Sequence, residues 1–409
     1  MWIGIDDTDS PRGMCTTYLA AVLVRRLEEH GFVVRSLRLV RLNPNVIWKT
    51  RGNAAVAIEA DGDPDTAFLL AEAVIEESAD LACDDTHPGL VVCSGTRPPH
   101  SFAEQAITDF CTLDEAVLAC EAAGARYYGW KNRRGLIGAT AAVAAVFTDA
   151  TSEILVYRDP ADTQRERFVD PESLDIADEM TAPHTWDTVD RRNRVVVCVP
   201  HTPDPVLFGI RGENPVWVSL ARHLVVSPPA VLEAVFETNQ GTDAHLVSGL
   251  IGSLEEGRSY RLEGTVAAVP TTGEGGHVSC RLQDQDLVLP CMAYEPTKEF
   301  RDLIRSLLPG DRVIVCGSWK QGSLNLEKIR VLSAPPRIIR KAPACPSCGK
   351  KMTSAGFGKG FKCRSCSMRS AEPEIVTIER TIQPGWYEVP PSARRHLSRP
   401  LIRGTDPGP

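Results

Sequence analysis

Trp2-Ile3-Gly4-Ile5-Asp6-Asp7-Thr8-Asp9-Ser10 opens the chain with a short apolar run that stops at the carboxylates Asp6, Asp7 and Asp9. The apolar residues around Gly4 read as a buried strand. Acids this close repel one another, and a turn has no packing reason to collect them. A bound Mg²⁺ reverses that balance, because hard cations take oxygen ligands and neutralise clustered carboxylates. The strand-end position fits an α/β module, since open α/β sheets place ligands beyond strand carboxyl ends. Taken alone, the acids are equally a solvated turn before a helix.

The next residues favour the site. Ser10-Pro11-Arg12-Gly13-Met14-Cys15-Thr16-Thr17 leads into the helical run Tyr18-Leu19-Ala20-Ala21-Val22-Leu23-Val24. Thr16 and Thr17 therefore sit at a helix N-terminus, where free N–H groups and the dipole attract phosphate. With Thr8 inside the acidic turn, metal ligands beside an anion-binding helix start point to a nucleoside triphosphate. Further on, Trp48-Lys49-Thr50-Arg51-Gly52-Asn53 sets Lys49 and Arg51 beside a tight turn, and Ser94-Gly95-Thr96-Arg97-Pro98 carries another cation. All three are phosphate-ligand candidates by charge and backbone access. Tyr127 to Gly138 combines aromatic rings, cations and glycines, which suits a base and phosphate or simply a basic loop.

The middle of the chain alternates strands and helices. A helix is expected from about 101 to 123, a polar irregular insertion over 159–190, and a buried strand over 195–199. Arg211 lies between glycines, and Glu213 and Asp243 are acids able to meet a cationic ligand. His245 reads as a structural histidine. From Gly257 to Leu332 the texture becomes all-β, with five strands and a helix between the third and fourth. That is the pattern of an OB-fold barrel, whose exposed face commonly binds single-stranded nucleic acid. Trp319 is placed at an end suited to RNA contact.

The most specific local signal is Cys345-Pro346-Ser347-Cys348 with Cys363-Arg364-Ser365-Cys366. Four thiolates at that spacing close a tetrahedral structural Zn²⁺ site with no open position. A unit this small lacks the core to fold without such a staple. The loop between the knuckles is basic and carries Phe357 and Phe361, suited to RNA phosphates and base stacking. From Arg337 to Pro409 there are fourteen Lys and Arg against five Asp and Glu, although the whole chain carries −8. An acidic body with a basic end fits a polyanionic partner. Trp386, Tyr387 and Arg394-Arg395-His396 then form a tail that packs back or contacts RNA. Thirteen cysteines, scattered apart from that one group, suit a reducing cytoplasm with a metal site better than disulfides. The longest apolar run, Ile137 to Phe147, is too short for a membrane span, and no secretory signal is visible. No obligate protein partner is evident.

GIDDTDS followed by RGMCTTYLA resembles the start of the archaeal 2-agmatinylcytidine synthetases of the minor isoleucine tRNA, and LNPNVIWKTRGNAA resembles a second signature of that family. The resemblance runs through the whole chain. It implies a multidomain α+β protein: an α/β kinase-like module (1–125), a ferredoxin-like domain (126–255), an OB-fold (256–335), a zinc ribbon (340–370) and a tail (371–409). It implies a ligase that uses ATP to activate the C2 oxygen of the wobble cytidine in the CAU anticodon, then conjugates agmatine and releases AMP. Asp6, Asp7 and Asp9 would hold Mg²⁺ on the triphosphate, or one would act as a base. Thr16, with Thr17 as the alternative, would be phosphorylated. A non-catalytic nucleic-acid-binding protein built on the barrel and ribbon is a rival reading, and an RNA kinase that ignores agmatine is another. The first leaves the acidic cluster and the threonine helix start without a role. The second predicts turnover without agmatine.

Overall fold

The structure, a computed structural model, describes residues 1–163 and 165–404. β1 (Trp2–Asp6) forms because its alternating side chains serve two cores. Ile3 and Ile5 face α1 (Thr16–Glu29) and α2 (Pro64–Ser78), where Leu19, Leu23 and Leu27 are fully buried. Each such leucine contributes about 1.5–3 kcal/mol by leaving water. Gly4 faces the other way, onto α5 (Gly135–Ala144), and a Cβ there would lie 2.3 Å from the Ala139 carbonyl oxygen. By the same alternation Asp6 points toward α5.

β1 pairs antiparallel with β3 (Ala54–Asp61) on one side and β4 (Gly89–Cys93) on the other. β2 (Val33–Arg41) and β5 (Arg126–Gly129) extend the sheet outward from them. The sheet around the acids is thus antiparallel, so the strand-end rule for open α/β sheets does not place the site. It is placed by β1 ending at Asp6 and by Asp7 turning the chain at φ 57°. The helix expected over 101–123 is two helices, α3 (His100–Thr108) and α4 (Leu113–Ala122), because Thr112 and Glu115 form a capping box that starts the second.

The sheet continues without a break into the next unit. The strand Leu232–Thr238 pairs in parallel with β2, with Glu237 opposite Arg38, and beyond it come β6 (Thr151–Tyr157), Val206–Gly212 and β7 (Thr185–Trp186), giving nine strands in all. α6 (Pro171–Thr181) and α7 (Pro215–Leu224) pack on this half. α6 lies inside the stretch expected to be irregular; its start is a Pro at the first turn with Asp170 accepting from the Ser173 N–H. The expected strand at 195–199 is only the two-residue Val195–Val196, one partner in a small ribbon with Val189–Asp190, and Val195 is exposed.

Five strands, Ser259–Val266, Val278–Asp284, Leu287–Ala293, Arg312–Lys320 and Ser323–Ser333, close into a barrel through pairing of the first with the second and fourth. The third and fifth pair in parallel, and α8 (Phe300–Ser306) lies between the third and fourth in sequence. Leu262, Leu282, Val315 and Ile329 fill the interior. Thr353–Ser354, Phe361–Lys362 and Arg369–Ser370 make the small sheet of the cysteine-rich ribbon. The chain then returns: Gly385–Glu388 pairs with the last barrel strand, and residues 389–403 run back to the nine-stranded sheet. No helix among the described residues is long and apolar enough to cross a membrane.

Candidate active site

Three acids leave the end of β1 in three directions, and each meets a different partner. Asp6 is pressed under α5. Burial pushes its carboxyl well above the ordinary carboxylate range, and the neighbouring Asp7 adds to the effect. Asp7 accepts two parallel hydrogen bonds from Arg134, Nε to Oδ2 at 2.8 Å and Nη2 to Oδ1 at 3.0 Å. Burial still outweighs that arginine and pushes the Asp7 carboxyl up to about 7. Asp9 faces the helix start: its Oδ1 accepts the Thr16 N–H at 2.6 Å and the Thr16 hydroxyl at 2.9 Å. Its Oδ2 accepts from Arg51 Nη2 at 2.7 Å. The Thr8 hydroxyl donates to Thr16 Oγ1 at 3.0 Å, which leaves the Thr16 proton directed at Asp9.

Two cavities share this wall. The first, of about 380 Å³, is lined by Asp6, Asp7, Asp9, Thr16, Arg134 and, further out, Trp48, Lys49 and Phe110. The second, of about 530 Å³, lies between the two halves of the nine-stranded sheet. Asp9, Thr16, Thr50, Gly52 and Ala54 line both. Thr17, Arg41, Glu153, Asp204, Arg211 and His396 belong to the second alone. Glu153 is held there by Gln240 Nε2 at 2.6 Å, Arg211 Nε at 3.2 Å and Arg41 at 3.5 Å. Asp204 accepts from the Val206 N–H at 2.9 Å and pairs with Arg167 at 3.2 Å.

Sequence comparisons bear on this geometry directly. Residues 2–132 match the family described as TiaS TCKD domain, 133–245 the TiaS FLD domain, and 342–382 the TiaS C-terminal zinc ribbon domain. A TiaS from Methanocorpusculum labreanum, a 2-agmatinylcytidine synthetase of an isoleucine tRNA, is 47% identical over 99% of this chain and 97% of its own length. The chain belongs to the TiaS family. A TiaS from Archaeoglobus fulgidus is 45% identical over 98% of this chain and 97% of its own length. The crystal structure of a TiaS bound to an isoleucine tRNA and ATP superposes with TM-score 0.91 at 43% identity, covering 99% of this chain and 97% of that one. A complex of TiaS with an isoleucine tRNA, AMPCPP and agmatine gives 0.89 at 42%, covering 98% and 96%.

In this TiaS family member, Asp6, Asp7, Thr8, Asp9, Thr16 and Arg51 converge at the end of β1. Lys49 lines the outer part of the first cavity, its ammonium donating to the Pro44 carbonyl. Arg97 is not brought there. It lies beyond the Cys93 end of β4, opposite Trp2, with its guanidinium 5.0 Å from the Trp2 ring. Glu213 pairs with Arg403 at 2.7 Å and Asp243 with Lys328 at 2.6 Å, so both are engaged by structural cations and line neither cavity. Trp319 packs against the barrel core and Phe361 against Met352 and the cysteines of the ribbon, while Phe357 is fully exposed. Sequence reading missed Arg134, Glu153, Asp204 and His396. Arg134 stood in a basic stretch without a role of its own. The signal for the others was an apolar strand and a tail, and only folding shows what they face.

Cys345, Cys348, Cys363 and Cys366 bring their sulfurs within 4.8 Å of one another. The Cys345–Cys366 and Cys348–Cys363 separations are 3.4 and 3.5 Å. These are too long for disulfides, at about 2.05 Å, and close to the edge of a tetrahedron with Zn–S bonds of about 2.3 Å. The four residues fit a structural zinc.

Proposed function

We propose that this chain phosphorylates the C2 oxygen of the wobble cytidine in a CAU-anticodon isoleucine tRNA with ATP and joins agmatine to C2, giving 2-agmatinylcytidine. The observation that carries this reading is the Thr16 hydroxyl, bonded to Asp9 in the wall common to two cavities. A group in that wall reaches a nucleotide on one side and an acceptor on the other. The Methanocorpusculum and Archaeoglobus relatives are synthetases of this product, and the two complexes carry an isoleucine tRNA with ATP or with AMPCPP and agmatine.

In physical terms, the cytosine oxygen is a poor leaving group until it becomes a phosphate ester. The agmatine amine then forms the C2–N bond as phosphate departs. The first cavity takes the nucleotide, with Trp48 and Phe110 offering faces for the base and the α1 N-terminus facing the phosphates. Asp6, Asp7 and Asp9 suit Mg²⁺, since burial raises the first two carboxyls for want of positive charge. Bound there, the ion would neutralise the triphosphate during transfer. Asp9 accepts the Thr16 proton if that hydroxyl takes a phosphoryl group, and Arg51 fixes the Asp9 rotamer. The second cavity takes the amine, in a wall where the paired carboxylates Glu153 and Asp204 balance the charge of Arg41, Arg211 and Arg167. Residues 2–132 read as the kinase-like module, 133–245 as ferredoxin-like, and the barrel order as an OB-fold that holds RNA together with the ribbon.

The test is to incubate the purified protein with ATP, Mg²⁺, labelled agmatine and a CAU isoleucine tRNA transcript. Agmatine in RNA with matching AMP release, both abolished by Asp7→Ala, supports the reading. Tight RNA binding without incorporation, from folded and zinc-loaded protein, points instead to a binding module.

A further inference from the structure

The tail does more than close the molecule. Residues 389–403 cross from the barrel to the nine-stranded sheet, and their cations are used up on the way. Arg394 pairs with Asp187 and Glu388, Arg399 with Asp149, and Arg403 with Glu213. The backbone is pinned at the crossing: His396 O accepts from the Gly241 N–H at 2.7 Å, and Leu397 O from the Asp243 N–H at 2.8 Å. These contacts set one side chain, His396, into the wall of the second cavity. It lies beside Gly52, whose added Cβ would be 3.3 Å from His396 Cε1 and 2.8 Å from Arg41 Nη1. Gly52 follows Arg51, the residue that holds Asp9. The tail thus reaches the same loop that orders the shared wall.

We propose that His396 is the catalytic base that takes a proton from the acceptor ammonium in the second cavity. The inference rests on the reading of that cavity as the amine site. An alkylammonium holds its proton at neutral pH, with an ordinary pKa near 10.4, and without a free lone pair it cannot attack C2. Other groups in the cavity are unsuited to take that proton. Glu153 is spent on Arg41, Arg211 and Gln240; Asp9 on Arg51 and Thr16; Asp204 on Arg167 and the Val206 N–H. Burial pushes the Cys15 and Cys198 thiols up to about 12. His201 is exposed at the rim.

His396 has the opposite setting. Burial, then Arg41, Arg211 and Lys49, push its pKa well below the usual histidine value, so the imidazole is neutral and has a lone pair. The ammonium gives one proton to the imidazole nitrogen, and the freed lone pair forms the C2–N bond. The C2–O bond breaks with its electron pair on phosphate. The imidazolium then returns its proton to phosphate, and the second amine proton leaves with the same phosphate, which balances the step.

The test is the pH dependence of agmatine incorporation by the full chain and by His396→Gln, under single turnover with saturating ATP and tRNA transcript. At pH 7 the variant is expected to be slower by roughly 100-fold. Its rate should rise by about tenfold per pH unit toward pH 9, because only pre-neutralised amine reacts, while the parent stays flat. The ratio of the two rates therefore collapses as pH rises. A deficit that is the same at pH 7 and pH 9, or no deficit, overturns the proposal and leaves His396 a packing residue. His396→Asn, with melting compared to the parent, guards against misfolding: a base role demands the same collapsing ratio in both variants. If the parent itself incorporates no agmatine at any pH, the proposed function fails instead, and His396 is left without a role to test.

Discussion

Gly138 and Asp6 meet with no room for another atom: a Cβ on Gly138 would lie 1.9 Å from Asp6 Oδ2. Glycine inside a helix ordinarily costs about 0.5–1 kcal/mol relative to alanine, so Gly138→Ala would stabilise an isolated α5. Here the methyl must displace a carboxylate at the end of β1, or lift the helix from the strand. ATP cleavage is expected to fall at least about tenfold, equivalent to about 1.4 kcal/mol of transition-state stabilisation. Steady-state AMP release and a melting curve on the same sample separate the two effects. Full activity with unchanged melting would mean that Asp6 need not sit where it does.

Thr16 and Asp9 make the second prediction. Thr16→Val keeps the shape and loses the hydroxyl, while Thr16→Ser keeps the hydroxyl. If this oxygen accepts a phosphoryl group, label from the ATP γ-phosphate appears on the parent and the serine variant and not on the valine variant. Asp9→Asn should lose labelling as well, since Arg51 and the helix N-terminus then hold a neutral group that is a poor proton acceptor. Equal labelling of the valine variant would move the phosphoryl acceptor to another residue, with Thr17 next in line.

These residues also show how far sequence carries. The strand, the acids, the helix start at Thr16 and the four cysteines are local patterns, in which spacing alone dictates geometry, and all were legible. So was the barrel, because its alternation and its helix between the third and fourth strands are local too. Arg134 could be seen as a cation, but nothing local says that it folds back onto Asp7 from a residue 127 positions away. Glu213 and Asp243 misled as candidates for a cationic ligand because their partners, Arg403 and Lys328, come from the tail and the barrel. Ion pairs between domains leave no mark on either sequence segment. The strand-end rule did not place the acids for the same reason: the direction of a neighbouring strand is a tertiary fact.

A pH effect arises from the polar cluster between the barrel and the tail. Burial opposes ionisation of Glu327, yet His245, Arg395 and Lys328 outweigh it and hold its carboxyl at about 2. A depressed carboxyl adds stability that is fully present above its unfolded value near 4.5 and is lost as pH falls toward 2. The contribution is on the order of 3 kcal/mol. Glu327→Gln should therefore be less stable than the parent at pH 6, and the gap should narrow steadily from pH 4.5 downward. Denaturant titrations at pH 6, 4 and 3 would show it. A gap independent of pH would assign the loss to packing and not to charge.

The ribbon is predicted to be a separate folding unit that depends on its metal. Its own core is little more than Cys345, Met352, Cys363 and a partly buried Phe361, far too small to hold three two-residue strands. The barrel has a core of its own that shares none of these residues. Cys363→Ser should abolish zinc binding and unfold the ribbon while the barrel and the nine-stranded sheet still melt cooperatively. Zinc analysis, together with hydrogen exchange over 342–382, reads both. The lysines of the loop, Lys350, Lys351, Lys359 and Lys362, are then expected to stop contributing to RNA affinity. Each lost phosphate contact should flatten the plot of log affinity against log salt by about 0.7. The parent with all four lysines changed to alanine, its ribbon still folded on zinc, should show the same reduced slope. If Cys363→Ser weakens RNA binding with the slope intact, the ribbon acts through Phe357 or through shape, and the lysines are only a solvated surface.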